Sequence, residues 1–146
     1  MPRTRTAERR PIAIAGRSAP LSRQAVARAA CRVLAGERRS AELSLTFVSR
    51  SAMRGLNARW KGVDADTDVL AFSLPAPSQS LAGDIYICPR VAARHAAELG
   101  IPVRQELLRL VVHGVLHVLG YDHPDGVRRL HSAMWRRQER YVRGLR

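Results

Sequence analysis

The sequence predicts an α+β fold in which one small mixed sheet of about four strands packs against about five helices. Three observations carry this expectation. Leu43, Leu45 and Phe47 alternate with Glu42, Ser44 and Thr46, the period of a strand with one buried face. Elsewhere apolar residues recur at helical spacing and run into a glycine, the residue that can turn left-handed and stop a helix. The patterns come in the order strand, helix, strand, helix, two strands and then helices, which is not the strict alternation of a doubly wound sheet. No internal repeat is visible.

Taken in order, residues 1–10 predict a flexible basic arm, with Arg3, Arg5, Arg9 and Arg10 and almost nothing to bury, ahead of a single domain over 11–146. Ile12 to Ala15 is a short strand. From Pro20 the positions Leu21, Ala25, Val26, Ala29, Ala30, Val33 and Leu34 form the apolar stripe of a helix, and Gly36 supplies the stop. Met53, Leu56 and Trp60 mark a second helix over 51–60, capped by Ser49 or Ser51, before a polar loop that Lys61 opens. Thr67 to Phe72 lacks alternation, as in a strand with both faces covered. Pro75 to Ser80 predicts an exposed loop, Gly83 to Cys88 a returning strand, and Val91 to Leu99 a helix closed by Gly100. Pro102 starts a long apolar helix. After a turn at Pro124-Asp125-Gly126, a cationic last helix places Val127, Leu130, Met134 and Tyr141 on or near one face. Met134 belongs to that pattern rather than to a methionine turn beneath a metal.

Chemistry concentrates in His113-Gly114-Val115-Leu116-His117-Val118-Leu119-Gly120-Tyr121-Asp122-His123, which holds three of five histidines. On a helix, residues four apart lie about 40° apart in azimuth and one turn apart in height, so His113 and His117 can grip one ion. Gly120 sits where a C′ glycine stops the helix, and the turn can bring His123 back. Three neutral imidazoles with an open fourth position suit a catalytic zinc better than a structural one, which is usually closed by four ligands. The expected cofactor is one zinc ion per chain, held by a zinc-hydrolase-like tripod. The spacing equals that of the H-E-x-x-H-x-x-G-x-x-H peptidases, but their basic glutamate is here Gly114. Glu106, seven residues before His113, either orients a ligand or serves as a first-turn acid favoured by the helix dipole. His95 and His131 stand alone in the sequence and read as non-functional.

The formal net charge is +13, from 25 basic and 12 acidic residues, and Lys61 is the only lysine. Asp64, Asp66, Asp68, Asp84, Asp122 and Asp125 lie in or beside the chemical segments, whereas arginine crowds both ends. A cationic shell around an acid-bearing centre suits a polyanion such as a nucleic acid. Cys31 and Cys88 are too few for a disulfide framework and read as reduced core residues of a cytosolic protein. No stretch has the apolar length of a membrane span or the h-region of a signal peptide.

Three stretches together resemble the YbeY family of bacterial metal-dependent endoribonucleases: Asn57-Ala58-Arg59-Trp60-Lys61 leading through Asp64 to Thr67-Asp68-Val69-Leu70-Ala71-Phe72, then Gly83-Asp84-Ile85-Tyr86-Ile87, then His113 to His123. The last is similar to the family's H-G-x-x-H-x-x-G-x-D-H motif in Gly114, Gly120 and Asp122 as well as in its histidines. The resemblance implies zinc on His113, His117 and His123 and single-strand-specific cleavage of ribosomal RNA at the 3′ end of the small-subunit species. It also implies a part in ribosome quality control, contact with the small ribosomal subunit and its proteins, and no DNA target. Where the family commonly has an arginine in a cationic loop, this chain has Lys61, which keeps the charge and loses the bidentate fork. Lys61 is therefore expected to join the three histidines as a catalytic residue by stabilising charge on the phosphate. Two other readings stand beside this one, a non-catalytic zinc-stabilised RNA-binding assembly factor and a zinc peptidase.

Overall fold

The computed structural model describes residues 12–74 and 81–146, so the basic arm and the loop expected at Pro75 to Ser80 lie outside the described residues. The elements are β1 (Ile12–Ala15), α1 (Arg23–Gly36), β2 (Ala41–Phe47), α2 (Arg50–Lys61), β3 (Val69–Leu74), β4 (Leu81–Ile87), α3 (Pro89–Leu99), α4 (Val103–Val118), a 3-10 helix (Gly126–His131) and α5 (Ala133–Leu145). The sheet runs β1-β2-β4-β3, with β1, β2 and β4 parallel and β3 antiparallel to β4 at the edge. The mixed sheet expected from the sequence is thus present.

Serine hydroxyls set three helix starts. Ser22, Ser49 and Ser132 accept from the backbone N–H of Ala25, Ala52 and Trp135, each worth about 1 kcal/mol against alanine. Of the two serines that could cap α2, Ser49 does so. Gly62 takes φ 68 beyond Lys61, which makes Lys61 the last residue of α2 and not the first of the loop. A helix terminus holds a side chain more firmly than a loop does, and here it is a cation at the negative end of the helix dipole.

The main core lies between the sheet and α1, α4 and α5, where Leu45, Ile85, Leu107, Val111 and Leu116 are fully buried, each worth roughly 1.5–3 kcal/mol. Two glycines allow α4 to lie close to β4. A Cβ on Gly114 would meet Ile85 Cγ2 at 2.7 Å, and one on Gly83 would meet Val118 Cγ2 at 2.4 Å. Ile85 faces α4, so by strand alternation Tyr86 and its partner Leu70 face the other way. There Met53, Leu70, Cys88 and Val91 form a smaller core that seats α2.

Five expectations need correction. Gly36 is the last helical residue of α1 and not its stop; the chain turns left-handed two residues later, at Arg38 with φ 53. β3 is an edge strand with only Leu70 buried, and its non-alternating sequence reflects partial cover, not two buried faces. The last helix begins at Ala133. The 3-10 segment before it leaves Val127 and Leu130 exposed, at 81% and 47%, because Ser132 restarts the helix with a new phase, and the buried stripe becomes Met134, Gln138 and Val142. Cys31 is exposed, since it falls on the solvent side of α1, while Cys88 is buried as expected. His95 is not alone: it meets Asp68.

Candidate metal centre

Helix α4 carries His113 and His117 on one side of its last two turns, and Gly120, at φ 102, reverses the chain beyond it. His123 returns as the turn requires. The ring centroids lie 4.5 Å apart for His113 and His117, and 5.1 Å from each of these to His123. One nitrogen from each ring falls within 4.8 Å of the others, a spacing that can hold a single ion.

Two of the three imidazoles have a hydrogen-bond partner at Nδ1. His113 Nδ1 lies 2.7 Å from Gln138 Oε1, and His123 Nδ1 lies 3.0 Å from the Pro124 carbonyl. An oxygen that only accepts places the proton on Nδ1 and leaves Nε2 bare, the form a metal needs. Burial pushes His113 down to about 4, against the pull of Gln138, and the charges of His117, His123 and Arg129 lower it further. Burial, then the charge of His123, also lowers His117. Both shifts favour the neutral imidazole, the form that can bind a metal, and the donor set fits a borderline-soft divalent ion.

Lys61, expected beside the tripod from the sequence, ends α2 near enough for its charge to act on His117. Around it, Arg54 binds Asp64 through two hydrogen bonds, Arg50 binds Asp66, and Asn57 Nδ2 donates to the Ala65 carbonyl. These bonds tie the 62–68 segment to α2 and hold down the pKa of both aspartates. Trp60 beside Lys61 is 58% exposed and makes a tilted contact with Phe72.

Glu106 orients no ligand. It is buried in an ion pair with Arg109, whose guanidinium also holds Glu139 through two hydrogen bonds. The residue that orients His113 is Gln138 on α5, which the motif spacing does not reveal. Its one signal is a polar residue at the middle of the Met134, Gln138, Val142 stripe, 1% exposed between two buried apolar neighbours. A second constellation without a motif joins Glu37 to the centre's surroundings: its carboxylate accepts from Tyr121, Tyr141 and Arg137.

A family model described as Endoribonuclease YbeY matches residues 15–146. The chain belongs to the YbeY family. Endoribonuclease YbeY of Mycolicibacterium gilvum is 42% identical over 97 residues, covering 59% of this chain and 54% of the relative. Endoribonuclease YbeY of Mycobacterium tuberculosis is 38% identical over 115 residues, covering 70% of this chain and 65% of the relative. The match therefore spans between half and two-thirds of these YbeY relatives. The solution structure of the Thermotoga maritima protein TM1509 superposes with a TM-score of 0.64 at 28% identity, over 92% of this chain and 88% of that one. Among the described residues no helix is long and apolar enough to cross a membrane.

Proposed function

We propose that this chain is a zinc-dependent endoribonuclease that cleaves single-stranded RNA, with ribosomal RNA at the 3′ end of the small-subunit species as its substrate. The observation that carries the reading is the tripod: three imidazoles converge, two of them tautomerically set with Nε2 inward, beside the cation of Lys61. Family membership supports RNA as the substrate class. One zinc ion per chain, held by His113, His117 and His123, would supply Lewis acidity to a phosphoryl oxygen or to water.

The protein's own residues do the rest. Gln138 and the Pro124 carbonyl keep two imidazoles in the metal-binding tautomer. Lys61 would stabilise charge building on the non-bridging oxygens, and the exposed arginines would hold the strand through its phosphates. Ribosome quality control, contact with the small subunit and its proteins, and a cytoplasmic location follow from the same reading.

The peptidase reading fails at Gly114. In that mechanism a glutamate next to the first histidine takes the proton, but here the position faces β4, and even a methyl group would collide with Ile85. An RNA-binding factor without activity is separated by experiment. A precursor of small-subunit ribosomal RNA should be cut by the purified protein, spared after chelation, and cut again when zinc is restored. His117→Ala should purify with little zinc and no activity. Full zinc occupancy in that variant would remove the tripod assignment, and binding without cleavage by the loaded protein would leave only the assembly factor.

A further inference from the structure

A cavity of about 560 Å³ shares His113 and Gln138 with the candidate metal centre and opens between β3, α3, α4 and the 3-10 segment. Its polar content is unexpected for a chain of net charge +13. Asp68, Glu98 and Glu106 all line it, and the buried cation within it, Arg109, is committed to Glu106 and Glu139. Three carboxylates against Arg109, which is already paired, and Arg129 at the rim leave the cavity with accepting oxygens in excess, so a base that offers N–H donors suits it better than a phosphate.

Asp68 is the carboxylate best placed to receive them. Asp64 and Asp66 spend their oxygens on arginines at 2.6 Å and 2.7 Å. Asp68, with a side chain 26% exposed, makes only long contacts: Thr67 Oγ1 at 3.5 Å and His95 Nδ1 at 3.4 Å. Both oxygens retain accepting capacity. The remaining walls suit a flat ring. Val69 and Leu110 are apolar, and the Arg129 guanidinium, 5.6 Å from the Trp135 ring centre, offers a plane on which a base can lie. The volume falls within the range of pockets that enclose small organic ligands.

We propose that this cavity is a base-recognition subsite, taking a guanine that flanks the scissile phosphate and reading it through Asp68. A carboxylate accepts two parallel hydrogen bonds, and guanine alone among the four RNA bases presents two adjacent N–H donors, N1 and N2, on its Watson–Crick edge. Uracil offers one imino donor between two carbonyls that Asp68 would repel. The proposal rests on the RNA-cleaving reading, because it places the base beside the phosphate held at the tripod.

The test measures binding of labelled hexauridylate, and of the same strand with one central guanine, to the zinc-loaded full chain by fluorescence anisotropy at fixed salt. The guanine strand should bind about tenfold tighter, the scale of one good bidentate base contact. Asp68→Asn should abolish that preference while leaving hexauridylate affinity and zinc content unchanged. Leu130→Trp, which fills the mouth of the cavity from an exposed position, should do the same and covers the case of an Asp68→Asn protein that fails to fold. Equal affinity for the two strands, or a preference that survives both substitutions, overturns the subsite and leaves the cleavage reading standing. Failure of any RNA to bind overturns both. If His117→Ala protein instead retains one divalent ion that Asp68→Asn removes, the cluster of Asp68, His95 and Glu106 belongs to a cation and the base assignment falls.

Discussion

Gln138 stands behind His113: its Oε1 decides which nitrogen His113 offers to the centre, while its Nε2 donates to Glu139 Oε1. Replacing it by leucine keeps the volume and leaves Nδ1–H without an acceptor in a buried place, so the tautomer is no longer held. Gln138→Leu should fold and weaken zinc binding about 10–100-fold in a competitive chelator titration, the usual scale for losing such a partner. Unchanged affinity would show that His113 is oriented by packing alone. Lys61 makes the complementary case, since it acts on the substrate and not on the ligands. Lys61→Ala should keep its zinc and lose on the order of a hundredfold in cleavage rate, the scale of one electrostatic stabiliser. Lys61→Arg should retain the activity, because the fork holds two phosphate oxygens. A Lys61→Ala protein that cleaves at the parent rate would leave the three histidines as the assigned chemistry.

At the scale of elements, the turn after α4 and the helix α5 are both fastened to α1 through Glu37. Burial raises the Glu37 pKa, but hydrogen bonds from Tyr121 and Tyr141 and the charge of Arg137 outweigh it, so the carboxylate sits below its ordinary value. Tyr141 is pushed up to about 12 by burial and by the same bond. Because the folded state releases the Glu37 proton more readily than the unfolded state, this stabilisation is present above the ordinary carboxylate pKa and is lost as pH falls through the lowered one. Thermal midpoints measured from pH 7 down to pH 3 should therefore fall less steeply for Glu37→Gln than for the parent, while the variant is the less stable of the two at pH 7. Parallel curves would mean that Glu37 contributes through packing only. The tripod feels this element directly, since Tyr121 lies between Gly120 and His123 and Gln138 lies on α5.

For the whole molecule, the +13 charge sets long-range attraction, and the fold decides which arginines are free to exert it. Arg137 is half-buried on Glu37 and lies 5.0 Å from the Tyr121 ring centre, so it belongs to the fold. Arg136, Arg140 and Arg143 are exposed on α5. Converting these three to glutamine should reduce the slope of log affinity against log salt by about 0.7 for each phosphate that is no longer neutralised, with zinc content unaffected. An unaltered slope would place the RNA path on another face.

Features that rest on local periodicity and spacing can be read directly from the chain. Strand alternation at Leu43, Leu45 and Phe47, the glycine stop at Gly100, and the tripod on α4 and its turn were all legible, because helix geometry carries His113, His117 and Gly120 into place with little help from elsewhere. Tertiary structure decided what depends on partners distant in the chain. Neighbours 25 residues away in Gln138, and 84 and 104 residues away in the Glu37 contacts, leave no periodic trace. The cover of β3, the exposure of Leu130 and Cys31, and the meeting of Asp68 with His95 were settled by which surfaces the sheet and helices left open. That Gly114 excludes a basic glutamate follows from the close approach of α4 to Ile85, a contact between two elements that neither stretch encodes alone.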